Sequence, residues 1–131
     1  RVLVADDNVI NRQLARIFLN QLGVAVDEAN NGREALEVCA SRYYDLILMD
    51  IHMPEMDGCE ATRHIRARAL NGGTPVVALT ADVLNRDHGR YRAAGINDYL
   101  PKPITELALQ QTLAKWCPAY QPATAAPADR S

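Results

Sequence analysis

The sequence has little of what marks a nucleic-acid binder, a membrane protein or a disulfide scaffold. Its 131 residues carry 14 Lys and Arg against 16 Asp and Glu, a formal net charge of -2, so there is no basic footprint for nucleic acid. No apolar run approaches the roughly 20 residues that span a bilayer. Direct contact of this segment with DNA or with a membrane is therefore not expected. Cysteine is scarce: Cys39, Cys59 and Cys117 lack metal-ligand spacing and cannot all pair. They are expected to be small core or surface residues in a reducing, cytoplasmic setting. No secretory signal and no internal repeat are visible in these residues. The chain starts at Arg1 already inside a strand pattern, and residues 118–131 are Ala/Pro-rich without amphipathic period. We therefore expect one domain over 1–117, a linker or disordered tail over 118–131, and an origin as a module of a longer protein.

What the chain does have is strand and helix in alternation. Leu46-Ile47-Leu48-Met49 reads as a strand buried on both faces, and it ends in Asp50 just before the Pro/Gly-punctuated turn from Met53 to Gly58. Val2-Leu3-Val4-Ala5 is a similar strand that runs into Asp6-Asp7, Val24-Ala25-Val26 reads as a shorter one, Pro75 to Leu79 as a fourth ending at Thr80, and Asn97 to Leu100 as a fifth. Between them, Asn8 caps a helix with apolar positions Ile10, Leu14, Ile17, Phe18 and Leu22, and Gly23 ends it. Further helices run through Ala35, Leu36 and Cys39; through Ala61, Ile65 and Ala69; to about Ala94; and from Ile104 to Trp116. Strands joined by crossover helices form a parallel sheet covered on both faces, a doubly wound α/β fold.

Open α/β sheets place their chemistry at the carboxyl ends of the strands, and Asp50 occupies such a position. Asp6 and Asp7 occupy another, and they meet Asp50 if the first and third strands are neighbours. Three clustered acids repel, so each has a raised pKa unless a cation neutralises them. An all-oxygen set of this kind suits Mg²⁺. Thr80 after the fourth strand and Lys102 after the fifth lie on the same rim. Each alone reads as a turn residue or a solvated charge, but jointly they suit phosphoryl chemistry.

In combination, Asp6-Asp7, Asp50 with Met53-Pro54-Glu55-Met56-Asp57-Gly58, Leu79-Thr80-Ala81 and Lys102-Pro103 resemble the receiver domain of a two-component response regulator, over Arg1 to about Trp116. The resemblance implies a flavodoxin-like sheet of five parallel strands in the order 2-1-3-4-5, flanked by five helices. It implies that Asp50 accepts a phosphoryl group from a phosphohistidine on a histidine kinase or histidine phosphotransfer domain. Asp7 and Asp50 then ligate Mg²⁺ with the backbone carbonyl of His52, and Asp6 acts mainly through water. Thr80 and Lys102 contact the phosphoryl oxygens. Tyr99 is implied as the switch residue that packs inward with Thr80, Pro103 as a cis proline aiming Lys102, and the fourth helix, fifth strand and fifth helix as the readout surface. The domain is then a monomer or a weak phosphorylation-dependent dimer. Asn11-Arg12, Asn31 to Leu36, Glu60 to Arg63 and Asn97 to Ile104 look most like receivers of hybrid sensor histidine kinases, with a stand-alone regulator as the alternative.

Two other classes share parts of this pattern. A phosphatase of the haloacid dehalogenase type also uses an aspartate, Mg²⁺, a lysine and a threonine, but it needs an acid two residues after its nucleophile. Here that place holds His52 after Asp50 and Asn8 after Asp6. A receiver that no longer accepts phosphate would act only as an interaction module, and the presence of all five site residues speaks against it. His52, His64 and His88 are scattered and are expected at the surface. His52 and Asp82 lie two positions beyond Asp50 and Thr80, where they are expected to tune dephosphorylation.

Overall fold

Among the residues that the computed structural model describes (1–53, 56–68, 70–81 and 88–117), strand and helix alternate five times. The elements are β1 (Val2–Ala5), α1 (Val9–Gln21), β2 (Val26–Ala29), α2 (Gly32–Ser41), β3 (Leu46–Asp50), α3 (Gly58–Arg66), β4 (Val76–Thr80), α4 (His88–Ala94), β5 (Asp98–Pro101) and α5 (Glu106–Trp116). Every strand pair is parallel, in the order β2-β1-β3-β4-β5. The Asp82 position, Ala69, the Pro54-Glu55 part of the turn and the 118–131 tail lie outside the described residues, as does the side chain of His88.

The alternation of side chains along each strand splits the core in two. Leu3, Ala5, Ile47 and Met49 face Ala35, Cys39, Cys59, Ala61, Ile65 and Tyr91 from α2, α3 and α4. Val2, Val4, Leu46 and Leu48 face Ala15, Leu19, Leu109 and Leu113 from α1 and α5. β1, β3 and β4 are buried at every position, as a parallel sheet covered on both faces requires. No helix among the described residues is long and apolar enough to cross a membrane.

Two expectations from the sequence need correction. The second strand is Val26–Ala29, not Val24 to Val26. Val24 is used to close α1, its amide donating to the Leu19 carbonyl, and the strand proper carries Asp27 and Glu28 because it is an edge with one paired side. On α1 the buried positions are Ala15 and Leu19, whereas Ile10 is 69% and Ile17 52% exposed. Ala15 and Leu19, four apart, make the stripe that meets the sheet, the expected Phe18 and Leu22 pack beside it half-buried, and Ile10 and Ile17 point away from it. Smaller shifts affect β5, which starts at Asp98, and α5, which starts at Glu106 with Thr105 as its cap.

Two polar residues, buried Asn71 and half-buried Arg66, tie loops at the amino end of the sheet. The Asn71 side chain accepts from the Tyr44 amide and from the Thr74 hydroxyl and donates to the carbonyls of Cys39 and Arg42. Arg66 donates to the carbonyls of Gly72, Thr74 and Gly95 and to the Asn97 side chain. These bonds satisfy backbone groups that three loops leave without strand or helix partners.

Candidate functional site

The strand order reverses at β1, so the loops after β1 and β3 diverge and leave a crevice at the carboxyl edge of the sheet. Asp6 follows β1, Asp50 ends β3, Thr80 ends β4 and Lys102 follows β5. Register puts them in one line: Ala5 pairs with Met49, Asp50 with Leu79, and Thr80 with Pro101. The Lys102 amide also donates to the Thr80 carbonyl. Carboxylate oxygens of Asp6, Asp7 and Asp50 lie within 4.8 Å of one another. Asp6, Asp50 and Thr80 are buried, and Asp7 is exposed. All five site residues named from the sequence therefore meet at one rim. A separate cleft at the opposite end of the sheet is lined by Val24, Tyr43, Pro75 and Trp116.

The electrostatics follow from that burial. Lys102 Nζ sits 2.9 Å from Asp50 Oδ1 and 3.5 Å from Asp6 Oδ2. Desolvation pushes the Asp50 carboxyl up to about 6, and the Asp6 charge adds to the rise. Lys102 and the His52 amide, which donates to Asp50 Oδ1, oppose it. Burial pulls Lys102 down, but the bond to Asp50 and the charges of Asp50 and Asp6 outweigh it, so its pKa is raised. One lysine thus faces two buried carboxylates and an exposed third.

That arrangement fits a hard divalent cation. Asp6 Oδ1 accepts from the Asn8 amide at 2.9 Å, but buried Oδ2 accepts no hydrogen bond and has only the Lys102 ion pair. A buried carboxylate oxygen left in this way is costly without a further positive partner. The donor set is all oxygen, as Mg²⁺ prefers.

The loop after β3 is held by its own chemistry. Asp57 caps α3 by accepting from the Glu60 amide, and its other oxygen pairs with Arg90 of α4 at 2.9 Å. The Gly58 amide donates to the Ile51 carbonyl at 3.0 Å. A Cβ on Gly58 would overlap the Asp50 carbonyl oxygen and press on Ile51 and Met49. Gly58→Ala is expected to cost about 1–2 kcal/mol of stability, which urea unfolding of the variant beside the unmodified domain checks.

The remaining positions fall as follows. His52 and His64 are exposed. Tyr99 is half-buried, packs on the core and lies 5.8 Å, ring to ring, from Tyr91 of α4. The Lys102–Pro103 peptide bond is cis. Arg12 escaped sequence reading as a member of the site: its guanidinium donates to the Asp6 carbonyl at 2.7 Å. A helix arginine carries no spacing signal toward a strand-end loop, so only the fold shows it.

The fold and this rim define a doubly wound α/β domain built around a cluster of acids faced by one lysine. The family model of the response regulator receiver domain matches residues 2–114, and the chain belongs to that family. Sensor protein GacS of Pseudomonas syringae pv. syringae is 39% identical over 119 residues, covering 88% of this chain and 13% of that protein. The receiver domain of sensor histidine kinase PA1611 from Pseudomonas aeruginosa PAO1, solved with magnesium coordinated in its active-site cleft, matches with a TM-score of 0.82. It is 38% identical, and the match covers 88% of this chain and 94% of that one. A co-crystal structure of the Saccharomyces cerevisiae histidine phosphotransfer protein Ypd1 and the receiver domain of Ssk1 matches with a TM-score of 0.81 and 32% identity, over 92% and 90% of the two chains. The chain spans between 12% and 15% of the curated sensor-kinase relatives, and the relatives also include a two-component response regulator.

Proposed function

We propose that this receiver domain accepts a phosphoryl group on Asp50 from a phosphohistidine of a histidine kinase or histidine phosphotransfer domain, with Mg²⁺ bound by Asp6, Asp7, Asp50 and the His52 carbonyl. The observation that carries this reading is the Asp50 carboxylate at 2.9 Å from Lys102 with Asp6 and Asp7 beside it. Asp50 is the nucleophile: one carboxylate oxygen attacks phosphorus, the phosphorus–nitrogen bond breaks, and the imidazole nitrogen keeps the electron pair. Two anions must approach each other, so catalysis here is positioning plus charge neutralisation. Bound Mg²⁺ supplies positive charge to the carboxylates and to the transferring phosphoryl oxygens. Lys102 holds Asp50 before transfer and pairs with the phosphoryl oxygens after it, and the Thr80 hydroxyl donates to them from the end of β4.

Tyr99 and its Tyr91 neighbour connect that event to the α4, β5 and α5 surface, which we read as the output face. Phosphorylation then biases an equilibrium between two packings of that face. Residues 1–117 form the receiver module and 118–131 a connecting segment, within a hybrid sensor histidine kinase in a cytoplasmic setting. The solved Ypd1–Ssk1 pair supports a histidine phosphotransfer partner, and the PA1611 receiver supports Mg²⁺. The test is transfer from a phosphohistidine donor protein labelled with radioactive phosphate. Label should move to the domain only with Mg²⁺ present and should remain on the donor in EDTA. Label that stays on the donor, or moves equally well in EDTA, refutes this reading.

A further inference from the structure

The geometry points to Arg12 as a positioning residue for the acid cluster, acting through the peptide that joins Asp6 to Asp7. The inference rests on the metal-binding reading of the site. Arg12 stands on α1 with its side chain only 11% exposed. Its Nη1 donates to the Asp6 carbonyl at 2.7 Å, and its Nε donates to Glu28 Oε1 of β2 at 3.2 Å. Glu28 is anchored from a second side by Arg16 Nε, and Arg16 and Arg12 together hold the Glu28 carboxyl below its usual range. A planar guanidinium gripping two fixed acceptors has little rotational freedom left, unlike an ammonium on a flexible stem.

The consequence lies in which carbonyl is held. The Asp6 amide donates to the Ala29 carbonyl at 3.1 Å, and the Asp6 carboxylate is fixed by the Asn8 amide and Lys102. The Asp6 carbonyl belongs to the Asp6–Asp7 peptide, a rigid plane. Fixing its orientation sets the direction in which the chain presents Asp7, the exposed member of the cluster. Among the described residues no side chain bonds to the Asp7 carboxylate, so the backbone is what directs it. β2, the edge strand, thereby acts as a brace for the metal-binding arm, through Glu28 and Arg12.

The sign of the effect separates positioning from electrostatics. Deleting a cation beside an acidic site should tighten binding of a divalent cation, because less positive charge opposes it. Losing a group that orients a ligand weakens binding, by roughly tenfold where such partners have been removed from metal sites. Mg²⁺ is titrated by calorimetry into the unmodified domain, Arg12→Met, Arg12→Lys and Arg16→Met, with thermal unfolding followed in parallel. Arg16→Met removes the same charge and another bond to Glu28 but none to the Asp6 carbonyl.

Weakening of roughly tenfold in Arg12→Met, with Arg16→Met unchanged or tighter, supports the proposal. Arg12→Lys keeps the charge and so isolates the fork geometry; an intermediate loss there supports positioning even if Arg12→Met does not fold. Tighter or unchanged binding in Arg12→Met, equal shifts in Arg12→Met and Arg16→Met, or unmodified affinity in Arg12→Lys overturns it. An unmodified domain that takes up no Mg²⁺ overturns the site reading itself, which keeps the two failures apart.

Discussion

Replacing Lys102 by methionine is expected to slow phosphoryl uptake from acetyl phosphate by about 10²–10³-fold, the range seen when one preorganised charge-stabilising group is removed from an active site. The ammonium is the single cation among the described residues within ion-pair distance of both buried acids, at 2.9 Å from Asp50 and 3.5 Å from Asp6. Methionine keeps the length and apolar stem but not the charge, so negative charge on the incoming phosphoryl group meets the carboxylates with less compensation. Mg²⁺ affinity should rise or hold in the same variant, because a competing cation has gone. Stopped-flow uptake rates and a Mg²⁺ titration on one preparation separate the two effects. A variant that takes up phosphate at the unmodified rate would remove Lys102 from the chemistry.

Asp50→Asn is expected to stabilise the metal-free domain at neutral pH by about 2–3 kcal/mol, since each unit of pKa displacement is worth about 1.4 kcal/mol. Burial first, and then the Asp6 charge, raise the Asp50 carboxyl from 3.8 to about 6. A carboxyl raised by folding favours the fold when it is protonated. The contribution is fully present below the unfolded value near 3.8 and is lost as pH rises through about 6. The asparagine variant should therefore lead the unmodified domain clearly at pH 7.5 in EDTA, with less than about half of that lead left near pH 4.5. Urea unfolding at the two pH values measures it. Saturating Mg²⁺ should reverse the order at pH 7.5, because the metal stabilises the carboxylate and finds a poorer site in the amide. A lead that is the same at both pH values would show that desolvation of Asp50 is not its cause.

The residues of the rim were legible because each sits where an apolar strand stops. Asp6, Asp50 and Thr80 directly end or follow the fully buried strands β1, β3 and β4, and a polar residue closing such a run stands out against its neighbours. The edge strand β2 was misplaced for the opposite reason. Its Asp27 and Glu28 serve Tyr44, Arg42, Arg12 and Arg16, and a half-buried strand of that composition gives no apolar run. Arg66 and Asn71 carry no signal of their role in the sequence, because the carbonyls they serve lie 6 to 32 residues away. Gly58 was legible as punctuation, but the need for a bare Cα came only from its packing against the Asp50 carbonyl. Periodicity finds what a residue does for its own element, and it misses a side chain that serves the backbone of another.

The most direct measurement is intact mass spectrometry of the domain after incubation with acetyl phosphate and Mg²⁺, beside the Asp50→Asn variant. The unmodified chain should gain the mass of one phosphoryl group, lose it on mild alkaline treatment, and gain nothing in EDTA; the variant should gain nothing in any condition. A gain that survives in Asp50→Asn would contradict Asp50 as the acceptor. Steady consumption of acetyl phosphate with no phosphorylated chain accumulating would make the rim a phosphatase site, and a domain that neither gains mass nor consumes the donor would leave it an interaction module alone.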